Sequence, residues 1–132
     1  MTFQNKVFIR THSYYSFLES LLSPQEIVNY AAQNQIRTLG LIDYRYLTGA
    51  IPFYEACTSA GIKPILGLEI DCSYAGFDGR LALLAKDRRG WGNLCRLSSM
   101  MLIDDKAIDI NALNRHNEGI VCLIGSPRGI LT

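Results

Sequence analysis

Three short apolar segments recur along this chain, and each closes on a residue that can hold a cation or move a proton. The first reads Val7-Phe8-Ile9-Arg10-Thr11-His12, the second Thr38-Leu39-Gly40-Leu41-Ile42-Asp43, and the third Ile65-Leu66-Gly67-Leu68-Glu69. Their Val, Ile, Leu and Phe content is that of strands, and helix-like stretches separate them. Strands alternating with helices predict an α/β fold with a largely parallel sheet. In such folds the carboxyl ends of the strands gather on one face, where sites are built. His12, Asp43 and Glu69 are therefore expected to be neighbours in space. An imidazole and two carboxylates make a divalent-metal set.

The spacing predicts a first strand over residues 6–11, then an aromatic, polar loop from Ser13 to Phe17. Ser23-Pro24-Gln25-Glu26 is a helix start: Ser23 caps, Pro24 suits the first helical position and Glu26 completes a capping box. That helix should reach about Gln35, with Ile27, Val28, Tyr30, Ala31 and Ala32 as its apolar stripe. A strand over 37–43, a loop over 44–49 and a helix over 50–60 follow, the helix stopped at Gly61. Phe53, Tyr54, Ala56, Cys57 and Ala60 form its apolar face. A third strand covers 62–70, a turn-rich piece 73–79 and a fourth strand 80–85. So short a link predicts an antiparallel hairpin between these two strands. Arg88-Arg89-Gly90 reads as a turn, and a third helix covers 91–102 with Leu94, Cys95, Leu97 and Met101 inward. Asp109 can cap a short helix through Leu113, and residues 120–124 read as a final strand.

Composition narrows the function classes. At 132 residues the chain is expected to be a single domain with a real core. A hydrophobic content of 48% and a charged content of 19% are those of a globular protein. The formal charge of +1 provides no global field to draw nucleic acid or membrane. The four cysteines, Cys57, Cys72, Cys95 and Cys122, form no CxxC pair, which argues against a zinc finger or a thioredoxin motif. A reduced, cytoplasmic protein is the simplest account of them. Residues 1–6 show no signal-peptide core, and no apolar run is long enough to span a membrane. Gly76, Gly79, Gly90 and Gly92 lack phosphate-loop spacing. His116 and the Asp104-Asp105 pair read as surface groups, and Trp91 as a core anchor.

The runs Arg10-Thr11-His12-Ser13, Leu41-Ile42-Asp43, Gly49-Ala50 with Phe53-Tyr54, and Ala60-Gly61-Ile62-Lys63-Pro64-Ile65-Leu66-Gly67-Leu68-Glu69 occur in the order of a known family. So do Leu83-Leu84-Ala85-Lys86, Asn93-Leu94-Cys95-Arg96-Leu97 and Glu118-Gly119-Ile120-Val121. On these motifs the chain resembles the N-terminal part of the PHP (polymerase and histidinol phosphatase) domain, as at the start of bacterial DNA polymerase III alpha subunits. The resemblance implies a distorted seven-stranded α/β barrel, of which this chain would be a truncated portion ending at Thr132. It also implies metal ligands at His12, Asp43 and Glu69. Two positions depart from the family pattern. Arg10 replaces the first histidine of His-x-His, and Tyr44 replaces the histidine of Asp-His.

Arg10 cannot lose its proton, so it cannot be a ligand. At ~4 Å and an effective dielectric near 20, two unit charges interact by about 4 kcal/mol, and a divalent ion beside Arg10 feels a larger repulsion. The expectation is a vestigial, metal-free site in which Arg10 pairs with Asp43 or Glu69. Residual binding of manganese, zinc or magnesium through His12, Asp43 and Glu69 is the alternative. With no catalytic residue left in place, the resemblance implies a structural and protein-interaction module of a replicative polymerase. Its partners would be the other domains of the alpha subunit and the proofreading exonuclease subunit. DNA would be met only through the parent polymerase, and an open sheet edge would permit self-association. The competing expectation is a metal-dependent phosphoesterase or 3′–5′ exonuclease.

Overall fold

The computed structural model describes residues 6–17 and 19–124. The opening residues 1–5 and the closing stretch 125–132 discussed above lie outside the described residues. The chain forms two compact units that divide at Leu66/Gly67.

The first unit is βαβα, followed by the opening of a further strand. Strand β1 (Val7–Thr11) pairs in parallel with β2 (Thr38–Tyr44), with Val7 opposite Thr38 and Thr11 opposite Leu41. Helix α1 (Pro24–Gln33) connects them. Its capping box is present in full: the Glu26 N–H donates to Ser23 Oγ at 3.1 Å, and the Ser23 N–H donates to Glu26 Oε2 at 2.7 Å. The helix stops two residues earlier than its apolar pattern suggests. Gln35 turns left-handed, with φ of 58°, and the Ile36 N–H bonds back to Ala31 O at 2.9 Å. Helix α2 (Ala50–Ser59) follows β2, and Gly61, with φ of 70°, ends that segment as expected. Strand β3 (Lys63–Tyr74) begins beside β2, where the Lys63 N–H donates to Arg37 O at 2.8 Å. Ile27, Val28, Ala31, Ile36, Leu39, Leu41, Phe53, Ala56, Cys57 and Ile62 make the core. Tyr30, Ala32, Tyr54 and Ala60, placed on the inner faces by composition, are exposed. Helical geometry carries a narrower stripe inward than a count of apolar residues implies.

One approach in this unit requires a glycine. A Cβ on Gly40 would lie 2.2 Å from the Ile9 carbonyl oxygen, so only glycine lets β2 come this close to β1.

The second unit holds most of β3, which pairs antiparallel with β4 (Phe77–Ala85) from Gly67↔Leu84 to Tyr74↔Phe77. The expected hairpin is present, but its strands run much further into the turn-rich piece than expected. Ala75 and Gly76 take φ of 51° and 82°, a two-residue turn whose twist suits the strands. Helix α3 (Arg88–Asp104) absorbs the predicted Arg88-Arg89-Gly90 turn, because Asp87 caps it and Oδ1 accepts the Gly90 N–H at 2.8 Å. Gly90 is there for packing, since a Cβ would meet the Gly119 carbonyl oxygen at 2.0 Å. Strand β5 (Ile108–Asp109) pairs in parallel with β3, and Asp109 caps helix α4 (Ile110–Arg115) through the Asn111 N–H at 2.8 Å. Strand β6 (Ile120–Leu123) runs antiparallel to β4. Leu68, Ile70, Cys72, Leu83, Leu94, Leu97 and Met101 are fully buried, while Cys95 and Trp91 are only half-buried. The fold is α/β, with the parallel β1–β2 pair in the first unit and a mixed arrangement in the second.

Candidate functional site

Strand β1 ends at Thr11 and β2 at Tyr44, so the parallel register carries His12 and Asp43 to the same end of the first unit. The Thr11 hydroxyl donates to the Gly40 carbonyl and ties the two strands just before that end. Asp43 is 2% exposed. A buried carboxylate needs donors, and the loop after β1 supplies them. The Ser13 N–H donates to Asp43 Oδ1 at 2.6 Å and the Ser13 hydroxyl to Oδ2 at 2.5 Å. The Ser16 hydroxyl donates to Oδ1 at 2.7 Å. Ser16 Oγ in turn accepts the Tyr44 N–H at 2.9 Å, and Ser13 Oγ accepts the Tyr15 N–H at 3.3 Å. Ser13 and Ser16 are both fully buried.

This cage organises the loop. The Ser16 N–H bonds to Ser13 O at 2.9 Å, the Glu19 N–H to Ser16 O at 2.9 Å, and the Tyr14 N–H to Leu22 O at 2.7 Å. Tyr14 and Tyr15 meet edge-to-face with centroids 4.7 Å apart. Gly49 closes the far side, where a Cβ would lie 2.9 Å from Tyr15, 3.0 Å from Asp43 Oδ2 and 3.2 Å from Ser13 Oγ. Arg45, just past Asp43-Tyr44, takes a left-handed conformation with φ of 68°, and its guanidinium carbon lies 6.0 Å from the centre of the Tyr44 ring.

Arg10 is exposed, and the donors to Asp43 are the Ser13 N–H and hydroxyl and the Ser16 hydroxyl, so of the expected pairing of Arg10 with Asp43 or Glu69 the Asp43 half is not met among the described residues. The two serines satisfy Asp43 within a few residues of the strand end, and no guanidinium is required. The structural role of Ser13 depends on the parallel pairing of β1 and β2. His12 is half-buried. One of its ring nitrogens and a carboxylate oxygen of Glu19 lie within 4.8 Å of each other. Glu19 stood out in no motif, and the turn that follows Ser16 brings it there.

Glu69 belongs to the second unit and is 3% exposed. Arg80 on β4 reaches its Oε1 at 3.0 Å. Arg80 stands directly opposite Asp71, so Glu69, Asp71 and Arg80 share one face of the hairpin. Arg80 went unnoticed because the pairing register, which sets its neighbours, is not visible in the local sequence.

The PHP domain family matches residues 9–132. The chain belongs to the PHP family. Among curated proteins, this PHP chain is 35% identical over 130 residues to the DNA polymerase III subunit alpha of Chlamydia trachomatis, a match covering 87% of the chain and 10% of that protein. It is 33% identical over 131 residues to the Bacillus subtilis protein of the same name, covering 95% of the chain and 12% of that protein. The chain thus spans about a tenth of the length of the curated relatives it matches. Among solved structures, an amidohydrolase from Chromobacterium violaceum superposes with a TM-score of 0.56 at 22% identity, over 69% of this chain and 32% of that one. A second, from Bifidobacterium adolescentis, superposes with a TM-score of 0.57 at 18% identity, over 80% and 37%. These likenesses establish the α/β fold of PHP-type barrels. Among the described residues, no helix is long and apolar enough to cross a membrane.

Proposed function

We infer that this chain is the PHP segment of a replicative DNA polymerase alpha subunit, with a degenerate, metal-free strand-end site that serves as a structural joint and protein-interaction module. The observation that carries this reading is the serine cage on Asp43. A carboxylate offers about four acceptor sites. Three are taken here, two of them on Oδ1. A metal at Asp43 has to displace short hydrogen bonds that also hold the loop. Glu69 is already paired with Arg80, and Arg10 and Tyr44 stand where the family resemblance puts histidines. The donor set does not fit a multi-ion centre, and no chemical step is assigned to one.

In this reading the chain itself does not polymerise DNA. Its partners are the remaining domains of the alpha subunit and the proofreading exonuclease subunit, DNA is met through the parent polymerase, and the protein works in the cytoplasm. The second reading is a metal-dependent phosphoesterase or 3′–5′ exonuclease with residual metal at His12, Asp43 and Glu69. The closeness of His12 and Glu19 favours it, because an imidazole and a carboxylate at that separation can share an ion.

The deciding experiment is metal content after incubation with manganese or zinc, run beside an Arg10→His, Tyr44→His double variant checked for fold by circular dichroism. The expected outcome is no metal on the native chain and a gain in the variant. Stoichiometric metal on the native chain overturns the metal-free reading and restores the phosphoesterase.

A further inference from the structure

The second unit carries a groove of about 430 Å³ between α3 and the end of α4, lined by Cys95, Arg96, Ser99, Met100, Ile103 and His116. Its walls are apolar: Ile103 is 81% exposed, and Met100 and Cys95 are half-buried beside it. Burial pushes the Cys95 thiol up, so that wall stays neutral near physiological pH. The cationic edge is held in position. Asn93 is buried, and its amide donates to the Glu118 carbonyl at 2.9 Å. That bond orients the Asn93 Oδ1, which accepts from Arg96 at 3.1 Å. Among the described residues, no carboxylate pairs with Arg96, whereas Arg80 and Arg89 each have one. The His116 imidazole lines the same space.

An exposed apolar surface beside an oriented guanidinium is complementary to a segment that is itself apolar and acidic. Neither free nucleic acid, which lacks the apolar part, nor an anionic lipid surface, which needs a broader basic face, matches a groove with one arginine and one histidine. We propose that the groove formed by α3 and the end of α4 docks a short acidic–apolar peptide segment of a partner protein. The carboxylate pairs with Arg96, and the apolar side chain packs on Met100 and Ile103. This names the class of partner for the interaction module proposed above and rests on that reading. The two tests report on different residues, so either can fail alone.

The test is a titration of the 15N-labelled chain with short peptides that alternate leucine or phenylalanine with glutamate, and with the same peptides carrying glutamine. The expected result is shift changes confined to residues around Arg96, Ile103 and His116, with affinity about tenfold weaker for the glutamine set. Arg96→Gln and Ile103→Ser, both at exposed positions, should each weaken binding of the glutamate set by about tenfold while leaving the rest of the spectrum unchanged. Equal affinity for both sets, or shifts that avoid the groove, overturns the proposal. So does the absence of binding across the whole set.

Discussion

Asp43 takes its surroundings from the hydrogen bonds that enclose it. Its carboxylate sits at a strand end, where a metal ligand is expected, yet its hydrogen bonds run to Ser13 and Ser16. Hydrogen bonds to a charged group contribute about 1.5–3 kcal/mol each, and a buried partner left without one costs more than the bond itself supplied. Ser16→Ala removes a donor to Asp43 and the acceptor for the Tyr44 N–H together. It is expected to lower stability by about 2–3 kcal/mol in urea denaturation. Asp43→Asn should cost a similar amount, because an amide nitrogen cannot accept what the carboxylate oxygen accepted. If both variants unfold like the parent, the cage is not what secures this loop. Aspartate at the strand end was legible in the sequence, and so was its polar destination. Its partners were not, because Ser13 and Ser16 reach it only through a pairing between segments about thirty residues apart.

At the scale of elements, the helix starts were the most readable features. Ser23 and Glu26 are three residues apart, so their reciprocal bonds form within a single turn and depend on nothing distant. Ser23→Ala should lower stability by about 1 kcal/mol. The Ser23 backbone N–H, and then its side chain, hold the Glu26 carboxyl below its ordinary value of 4.5. A folded value below the unfolded one means that the stabilisation is complete above about 4.5 and fades as pH falls through the lower, folded value. The stability gap between the parent and Glu26→Ala should therefore be widest near neutral pH and close under acid, which thermal melts across pH will read. A gap that persists unchanged in acid counts against the capping box as its source. Element ends governed by distant groups were misread. Gly90 punctuates a turn in the sequence, but it lies inside α3 because the Gly119 carbonyl packs where a side chain would stand. The hairpin strands outran their apolar residues because ladder hydrogen bonds continue through Ser73 and Asp78 whatever their polarity.

Across the whole molecule, each unit keeps a cysteine in its own core: Cys57 in the first and Cys72 in the second, both fully buried. Burial pushes each thiol up to about 11, helped at Cys72 by the charge of Cys122. At pH 8 only about one in a thousand such thiols is ionised, and the thiolate is the reactive form. Iodoacetamide should therefore label exposed Cys122 first, and reach Cys57 and Cys72 only as urea unfolds the unit that holds each. Peptide mass spectrometry separates the sites, and early labelling of Cys57 or Cys72 in native buffer contradicts the packing described here. The order of the main strands and helices, the caps Ser23 and Asp109 and the family likeness were determined by the sequence alone, because periodicity, caps and motifs are local properties of the chain; the two-residue β5 and the Asp87 cap were not. Tertiary structure alone decided that serines rather than Arg10 enclose Asp43, that Arg80 neutralises Glu69, and that Arg96 is aimed into a groove by Asn93. Each of these depends on strand register or on the docking of one element against another, and such long-range geometry brings together side chains whose sequence positions give no hint of the meeting.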